Sequence, residues 1–411
     1  GQTTKTLPIS IVDDALDEAN ETIQVTLANP INATLGTNTV HTYTITDDDP
    51  PPSVAFDATS SSGLESVTSV NIPVSLSTIS GQTVMVDYAI TAGTATGGGV
   101  DYTLASGTLI FTAGTTTQNI ALTIVNDALD EANETIQITL STPLNATLGT
   151  NTDHTYTILD EDTTPTVAFN ATSSSGLESV TAVTIPVSLS AASGQTVTVN
   201  YAVTGGTASG GGTDYTLAAG TLTFTPGTTT QNIAITVVND SLDEADETIQ
   251  ITLSSPNNAT LGANTVHTYT ITDDDAAPTV AFNATSSSGL ESVTAVTIPV
   301  SLSATSGQTV TVDYAVTAGT ATGGGVDYTL ASGTLTFTAG TTSQNISITV
   351  VNDALDEADE TIQITLSNPS NATLAANTVH TYTITDDDPP PSVAFDVTTS
   401  SGLESVTPAN L

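Results

Sequence analysis

The sequence predicts an all-β protein, a tandem array of seven-stranded, Ig-like β-sandwich domains with a 113-residue repeat. Three observations predict it. The acidic segment DALDEANE at Asp14 returns at Asp127, as DSLDEADE at Asp240 and as DALDEADE at Asp353, 113 residues apart each time. Between these segments apolar residues alternate with polar ones, the period of a half-buried strand. No stretch carries a helical periodicity of useful length. Self-similarity of this length marks an array of supersecondary units, so it has to be read before any single element.

The repeat divides the 411 residues into the C-terminal part of a domain at 1–49, complete domains at 50–162, 163–275 and 276–388, and the start of another at 389–411. The first residues align with a mid-repeat position, so the sequence reads as a window on a longer array. In the first complete repeat the strands follow in order. Ser53–Phe56 opens, and Val70, Ile72, Val74 and Leu76 alternate next. Val84, Val86, Tyr88 and Ile90 form the third, and Thr108–Phe111 the fourth. Ile120, Leu122 and Ile124, then Ile136, Ile138 and Leu140, then His154, Tyr156 and Ile158 complete seven. Turn signals separate them at Ser60–Gly63, Ser80–Gly81, Thr96–Gly99 and Ala113–Gly114. Seven short strands at this spacing read as a two-sheet sandwich. Pro73 reads as an edge or bulge position, because proline gives no ladder hydrogen bond. With no Trp, no Cys and 4% aromatic residues, the core is expected from Val, Ile, Leu, Ala and Thr.

Charge is the second theme. The net charge is −42, and Lys5 is the single basic residue. Nucleic acid and anionic membrane surfaces are not expected as partners, since both are bound through Lys and Arg. No apolar run is long enough to insert in a bilayer. Yet only 11% of residues are charged, so the acid is concentrated. Eight of the twelve carboxylates of repeat 50–162 fall in three places: Glu65, the loop 127–134 and the triplet Asp160-Glu161-Asp162. The same phase recurs at Glu178, Glu291 and Glu404, and in the triplets Asp47–Asp49, Asp273–Asp275 and Asp386–Asp388. A solubility face would intersperse lysine. Like charges ~5 Å apart cost about 3 kcal/mol per pair at an effective dielectric of about 20. Such clusters call for a hard cation, and several carboxylate oxygens suit Ca²⁺. Zinc would ask for His or Cys, which the clusters lack.

Taken together, IVNDALDEANETIQITL, the terminal TYTILDED or TYTITDDD, the early GLESV and VDYAITAGTATGGGVDYTL resemble Calx-β domains. The resemblance covers all three complete repeats and both partial ends. It implies Ca²⁺-binding β-sandwiches of the kind found in sodium–calcium exchangers, in integrin subunit β4 and in large extracellular adhesion proteins. Carried over position by position, it implies Glu65, Asp127, Glu131, Asp160, Glu161 and Asp162 as ligands in the first complete repeat. The second would use Glu178, Asp240, Glu244, Asp273, Asp274 and Asp275, and the third Glu291, Asp353, Glu357, Asp386, Asp387 and Asp388. Two departures reduce the carboxylate count: Asn126 stands where the exchanger pattern has an acid, and Ala92, Gly205 and Ala318 replace an aspartate. Asp130 and Glu134 stay open between outer ligands and solvated acids.

The four His (His41, His154, His267, His380) share one phase and read as strand-packing residues. Asp101, after the Gly-rich loop, reads as a turn cap. The Asn-x-Thr triplets at Asn32, Asn145, Asn258 and Asn371 read as coincidence in a Thr-rich chain. No constellation supports an enzyme. The expected function is a structural segment of a secreted or surface-anchored fibre, sheath or adhesin stalk, with Ca²⁺ stiffening the joints. Neighbouring repeats are the expected partners, with lateral self-association into a fibre. The alternatives are a Ca²⁺-responsive regulatory module of a transporter or signalling protein, and a glycan-binding adhesin region.

Overall fold

The computed structural model describes residues 1–402; Glu404 lies outside the described residues. Residues 1–49 form a two-stranded antiparallel sheet, β1 (Glu21–Thr26) with β2 (Val40–Ile45). The first complete repeat then supplies ten strands. These are β3 (Ser53–Phe56), β4 (Ser60–Leu64), β5 (Ser69–Leu76), β6 (Val84–Gly93) and β7 (Tyr102–Thr103), then β8 (Gly107–Phe111), β9 (Thr117–Ile124), β10 (Glu134–Leu144), β11 (Thr147–Leu148) and β12 (Asp153–Leu159). They pack as two five-stranded sheets, ordered β4-β12-β10-β6-β8 and β11-β3-β5-β9-β7. The next two repeats reproduce both orders.

All seven strands read from the alternation are present, and three short ones are added. Ser60–Gly63 is a correction: it is not a turn but most of β4, which pairs in parallel with the edge of β12. Its serines give no apolar alternation because they sit on a solvated edge. Pro73 is a second correction. It lies in β5, which runs between β3 and β9, with no bulge in its register to β9. Pairing of β3 stops at Phe56 opposite Val74, so the ring occupies a place where no ladder donor is needed. The carbonyl of Pro73 still accepts the N–H of Asp57 at 3.2 Å.

The core lies between the sheets. Val54, Phe56, Ile72, Phe111, Ile120 and Ile138 are each at most 1% exposed. Burying such a side chain contributes ~1.5–3 kcal/mol. The few aromatics are in the core rather than absent from it: Phe56, Phe111, Tyr102 and Tyr156 are all buried. Residues 1–49 leave the equivalent surface open, with Tyr43 45% exposed where Tyr156 is 2% exposed. His154 is buried beside Phe56, ring centroids 5.4 Å apart. Both its nitrogens are engaged, Nδ1 with the Ala58 carbonyl at 2.7 Å and Nε2 with Ser61 Oγ at 2.8 Å. Asn145 adopts φ 56° and donates from Nδ2 to the Thr83 carbonyl at 2.9 Å, so the fold itself accounts for an asparagine there.

Candidate metal centre

The loops leaving β9 and β12, the loop entering β7 and the residue after β4 all come to one end of the sandwich. Local chemistry fixes each. Asp127 Oδ1 accepts the N–H of Leu129 at 2.8 Å, an Asx turn that folds the loop back on itself. Asp14, Asp240 and Asp353 make the same turn. Asn133 Oδ1 holds the N–H of Asp160 at 3.1 Å, tying the triplet to the DALDEANE loop. Asp101 accepts the N–H of Thr96, so it does cap its turn.

Two groups of carboxylates result. In the inner group, oxygens of Glu65, Asp127 and Asp162 lie within 4.8 Å of one another. Glu178, Asp240 and Asp275 repeat it, as do Glu291, Asp353 and Asp388. In the outer group, Asp101, Glu131 and Glu134 meet on the same terms, as do Asp214, Glu244 and Glu247. Asp160 lines the cleft between them, and so do Asp273 and Asp386 in their repeats. Glu161 turns away from both groups. Its two oxygens accept the N–H groups of Glu65 and Ser66, each at 3.0 Å. Asp274 and Asp387 turn likewise, to the hydroxyls of Ser179 and Ser292. Asp327, Glu357 and Glu360 line one cleft in the third repeat, but their oxygens do not all come within 4.8 Å of one another.

The sequence reading did not place Asp101, Asp214 and Asp327 in the site, and it left Glu134 open. Their constant phase was the available signal. Turn capping explains that phase by itself, and here one residue does both.

Electrostatics follow from crowding. Burial, then the Asp162 carboxylate and the charges of Asp127 and Asp160, push Glu65 up to about 7. Burial and then Asp101 push Glu134 up to about 7. Glu131 and Asp160 are raised as well, burial first in each case. Glu65 Oε1, Asp160 Oδ1 and Asp162 Oδ2 are buried with no hydrogen-bond partner, and both later repeats leave the same three atoms unpartnered. Buried polar atoms are ordinarily paired. A set of buried, partnerless carboxylate oxygens fits a hard, oxygen-seeking divalent ion such as Ca²⁺. No imidazole or thiolate joins them, so the donor set does not fit a zinc site.

The family model of the Calx-beta domain matches residues 1–49, 46–162, 160–275 and 273–388. The chain belongs to the Calx-beta domain family. It is 29% identical over 292 residues to FRAS1-related extracellular matrix protein 2 of Homo sapiens, covering 66% of this chain and 9% of that protein. It is 28% identical over 192 residues to sodium/calcium exchanger 1 of Rattus norvegicus, covering 42% of this chain and 20% of that protein. The chain therefore spans a fifth or less of the length of these relatives. Among solved structures it is similar to CBD12 from CALX1.2, at 23% identity and a TM-score of 0.27, over 53% of this chain and 99% of that one. Among the described residues no helix is long and apolar enough to cross a membrane.

Proposed function

We propose that these Calx-beta repeats bind Ca²⁺ at their tips and serve as a stiffened, non-catalytic spacer in a secreted or surface-anchored fibre, sheath or adhesin stalk. The observation that carries the reading is the recurrence, in three complete repeats, of buried carboxylate oxygens without partners at the end facing the next repeat. Glu65, Asp127, Asp160 and Asp162 would hold ion in the inner group, and Asp101, Glu131 and Glu134 in the outer. A bound divalent cation would neutralise like charges that otherwise repel. Glu161, Asp274 and Asp387 would act instead by fixing the loop that carries the inner glutamate.

The extracellular matrix relative supports an extracellular setting. The exchanger relative favours the second reading, a Ca²⁺-responsive regulatory module. Uniform repeats favour the spacer, because a sensor needs one distinct effector surface and these tips repeat one another. Lateral association of chains belongs to the fibre reading, and sedimentation in calcium would detect it.

Thermal unfolding and small-angle scattering, each in calcium and in chelator, test the proposal. Calcium is expected to raise the melting temperature and to give a more extended, stiffer profile. At free calcium about 100-fold above the dissociation constant, the gain is ~2.7 kcal/mol per ion bound only to the folded state. No change in either measurement would overturn it. Stabilisation without stiffening would leave calcium as a fold cofactor and favour the sensor.

A further inference from the structure

The aspartate in the middle of each DALDE or DSLDE loop belongs to neither metal group. Asp130 is 6% exposed, and what buries it is the next repeat. It forms an isolated parallel β-bridge with Ser193 across the domain boundary, as Asp17 does with Ser80 and Asp243 with Ser306. The Asp130 carbonyl accepts the N–H of Gly194 at 3.1 Å and the Ser193 hydroxyl at 3.0 Å. Its carboxylate receives Thr164 Oγ1 at 3.2 Å on Oδ1, and Ser193 Oγ and Gln195 Nε2 at 3.4 Å each on Oδ2. At the other joints the serine comes closer to the carboxylate, 2.8 Å from Ser80 to Asp17 and 2.7 Å from Ser306 to Asp243.

Every donor to Asp130 across the joint is a neutral hydroxyl, amide or backbone N–H. A buried carboxylate has to be fully hydrogen-bonded or coordinated to metal, and here the following repeat supplies the donors. The receiving loop is braced from its own side, since Gly227 N–H donates to the Ser193 carbonyl at 2.9 Å. The adjacent Glu131 lies flat over Gly194, where an added Cβ would come within 2.6 Å of the glutamate Cγ. The receiving motif is therefore Ser-Gly-Gln at 80–82, 193–195 and 306–308.

We infer that this aspartate is a metal-independent latch that fastens each repeat to the Ser-Gly-Gln loop of the next. The surface it defines fits one partner, the opening half of another repeat of this kind. Among the described residues no Ser-Gly-Gln loop lies against Asp356, which is exposed, and Leu355 beside it is 62% exposed while Leu129 is half-buried. The latch sets the angle between repeats, and calcium acts on the carboxylate groups behind it. The two can therefore fail separately.

The cysteine-free chain allows a clean test. Spin labels at Ile110→Cys and Thr223→Cys, outward-facing equivalent positions in neighbouring repeats, report the distance across the joint in the full chain. In excess chelator the otherwise unaltered chain is expected to keep a single distance peak set by the latch, which calcium then narrows further. Asp130→Ala is expected to lose it, and Ser193→Val to lose it from the opposite side, while thermal unfolding shows both variants folded. Asp356→Ala removes the same charge where no repeat docks among the described residues, and is expected to leave the peak unchanged. A chelated distribution as broad as that of the joint variants would overturn the latch, as would a single peak kept by both variants. Neither result would bear on whether the carboxylate groups bind calcium.

Discussion

The loops 127–134 and 353–360 differ only by Asn133 against Asp359, yet they stand in different surroundings. At the first, another repeat docks: Asp130 is buried, and Glu131 is gathered with Asp101 and Glu134. At the second, no repeat docks among the described residues: Asp356 and Glu357 are exposed, and the outer group is looser, Asp327, Glu357 and Glu360 lining one cleft without all their oxygens meeting within 4.8 Å. The inner group ignores the difference. Glu65 and Glu291 are each 5% exposed, and each meets its two aspartates. One tip thus contains two devices with different owners. The inner group is the property of a single sandwich, whereas the latch needs a neighbour and the outer group is tighter where one docks.

The sharpest test of that division is the inner group at both tips. Glu65→Gln and Glu291→Gln are expected to cause the same loss, removing the calcium-dependent stabilisation of their own repeat, ~2.7 kcal/mol under the saturating condition given above. Calorimetry with calcium and with chelator measures it. A markedly smaller loss for Glu291→Gln would mean that the neighbour also builds the inner group. The outer group should behave in the opposite way. Glu131→Gln is expected to weaken one class of calcium site about tenfold, a change of about 1.4 kcal/mol, and Glu357→Gln to change little. Titration calorimetry on the two variants separates them. Gly194→Ala should resemble a milder Glu131→Gln, because the new methyl displaces Glu131 at a glycine whose backbone φ is not positive.

This division also marks what the sequence could disclose. Alternation in β5, β6, β9, β10 and β12 is strong because one face of each packs on the core. Those strands, and the repeat that orders them, were legible. β4 was not, because its serines are held by pairing to β12, a tertiary contact with no local pattern. Glu65, Asp127, Asp160 and Asp162 were legible from charge density together with the family resemblance. Glu161, Asp274 and Asp387 are ligands only by the family resemblance, which carries each whole triplet over. Their alternative use, accepting donors from the 65–66 loop and its counterparts, depends on a fold-back that spacing does not encode. Asp130 was left undecided because its partner, Ser193, sits in a different domain.

A smaller effect follows from acid titration in chelator. Glu65, Glu178, Glu291, Glu134, Glu247 and Glu360 are all pushed up to about 7, burial being the first cause in each. Between pH 4.5 and about 7 the folded chain therefore holds protons that the unfolded chain has released. Stability then falls as pH rises through that window. The chelated array is expected to melt at progressively lower temperature across it and to level off above. Excess calcium should reverse the slope, since the ion takes the place of the protons. The inner glutamates of the first and last complete repeats share one window, so this trend is common to both tips. A chelated melting temperature that rises with pH would contradict the crowding at both.

The smallest expected effect lies away from the tips, where the repeats differ in sequence but not in surroundings. Thr142 holds φ 45°, and its counterparts Asn29, Ser255 and Asn368 hold 47°, 48° and 49°. A β-branched residue is strained in this left-handed region, whereas asparagine enters it readily. Thr142 Oγ1 donates to Asp87 at 2.5 Å, and Asn368 Nδ2 makes the same bond to Asp313 at 3.2 Å. Thr142→Asn thus relieves backbone strain while keeping a donor for the aspartate. It should raise the stability of its repeat by about 1 kcal/mol, the low end of what such strain costs. The gain should be equal in calcium and in chelator, because this flank touches neither carboxylate group. A gain that appears only with calcium would couple the flank to the tip, and the separation of the two devices from the rest of the sandwich would have to be redrawn.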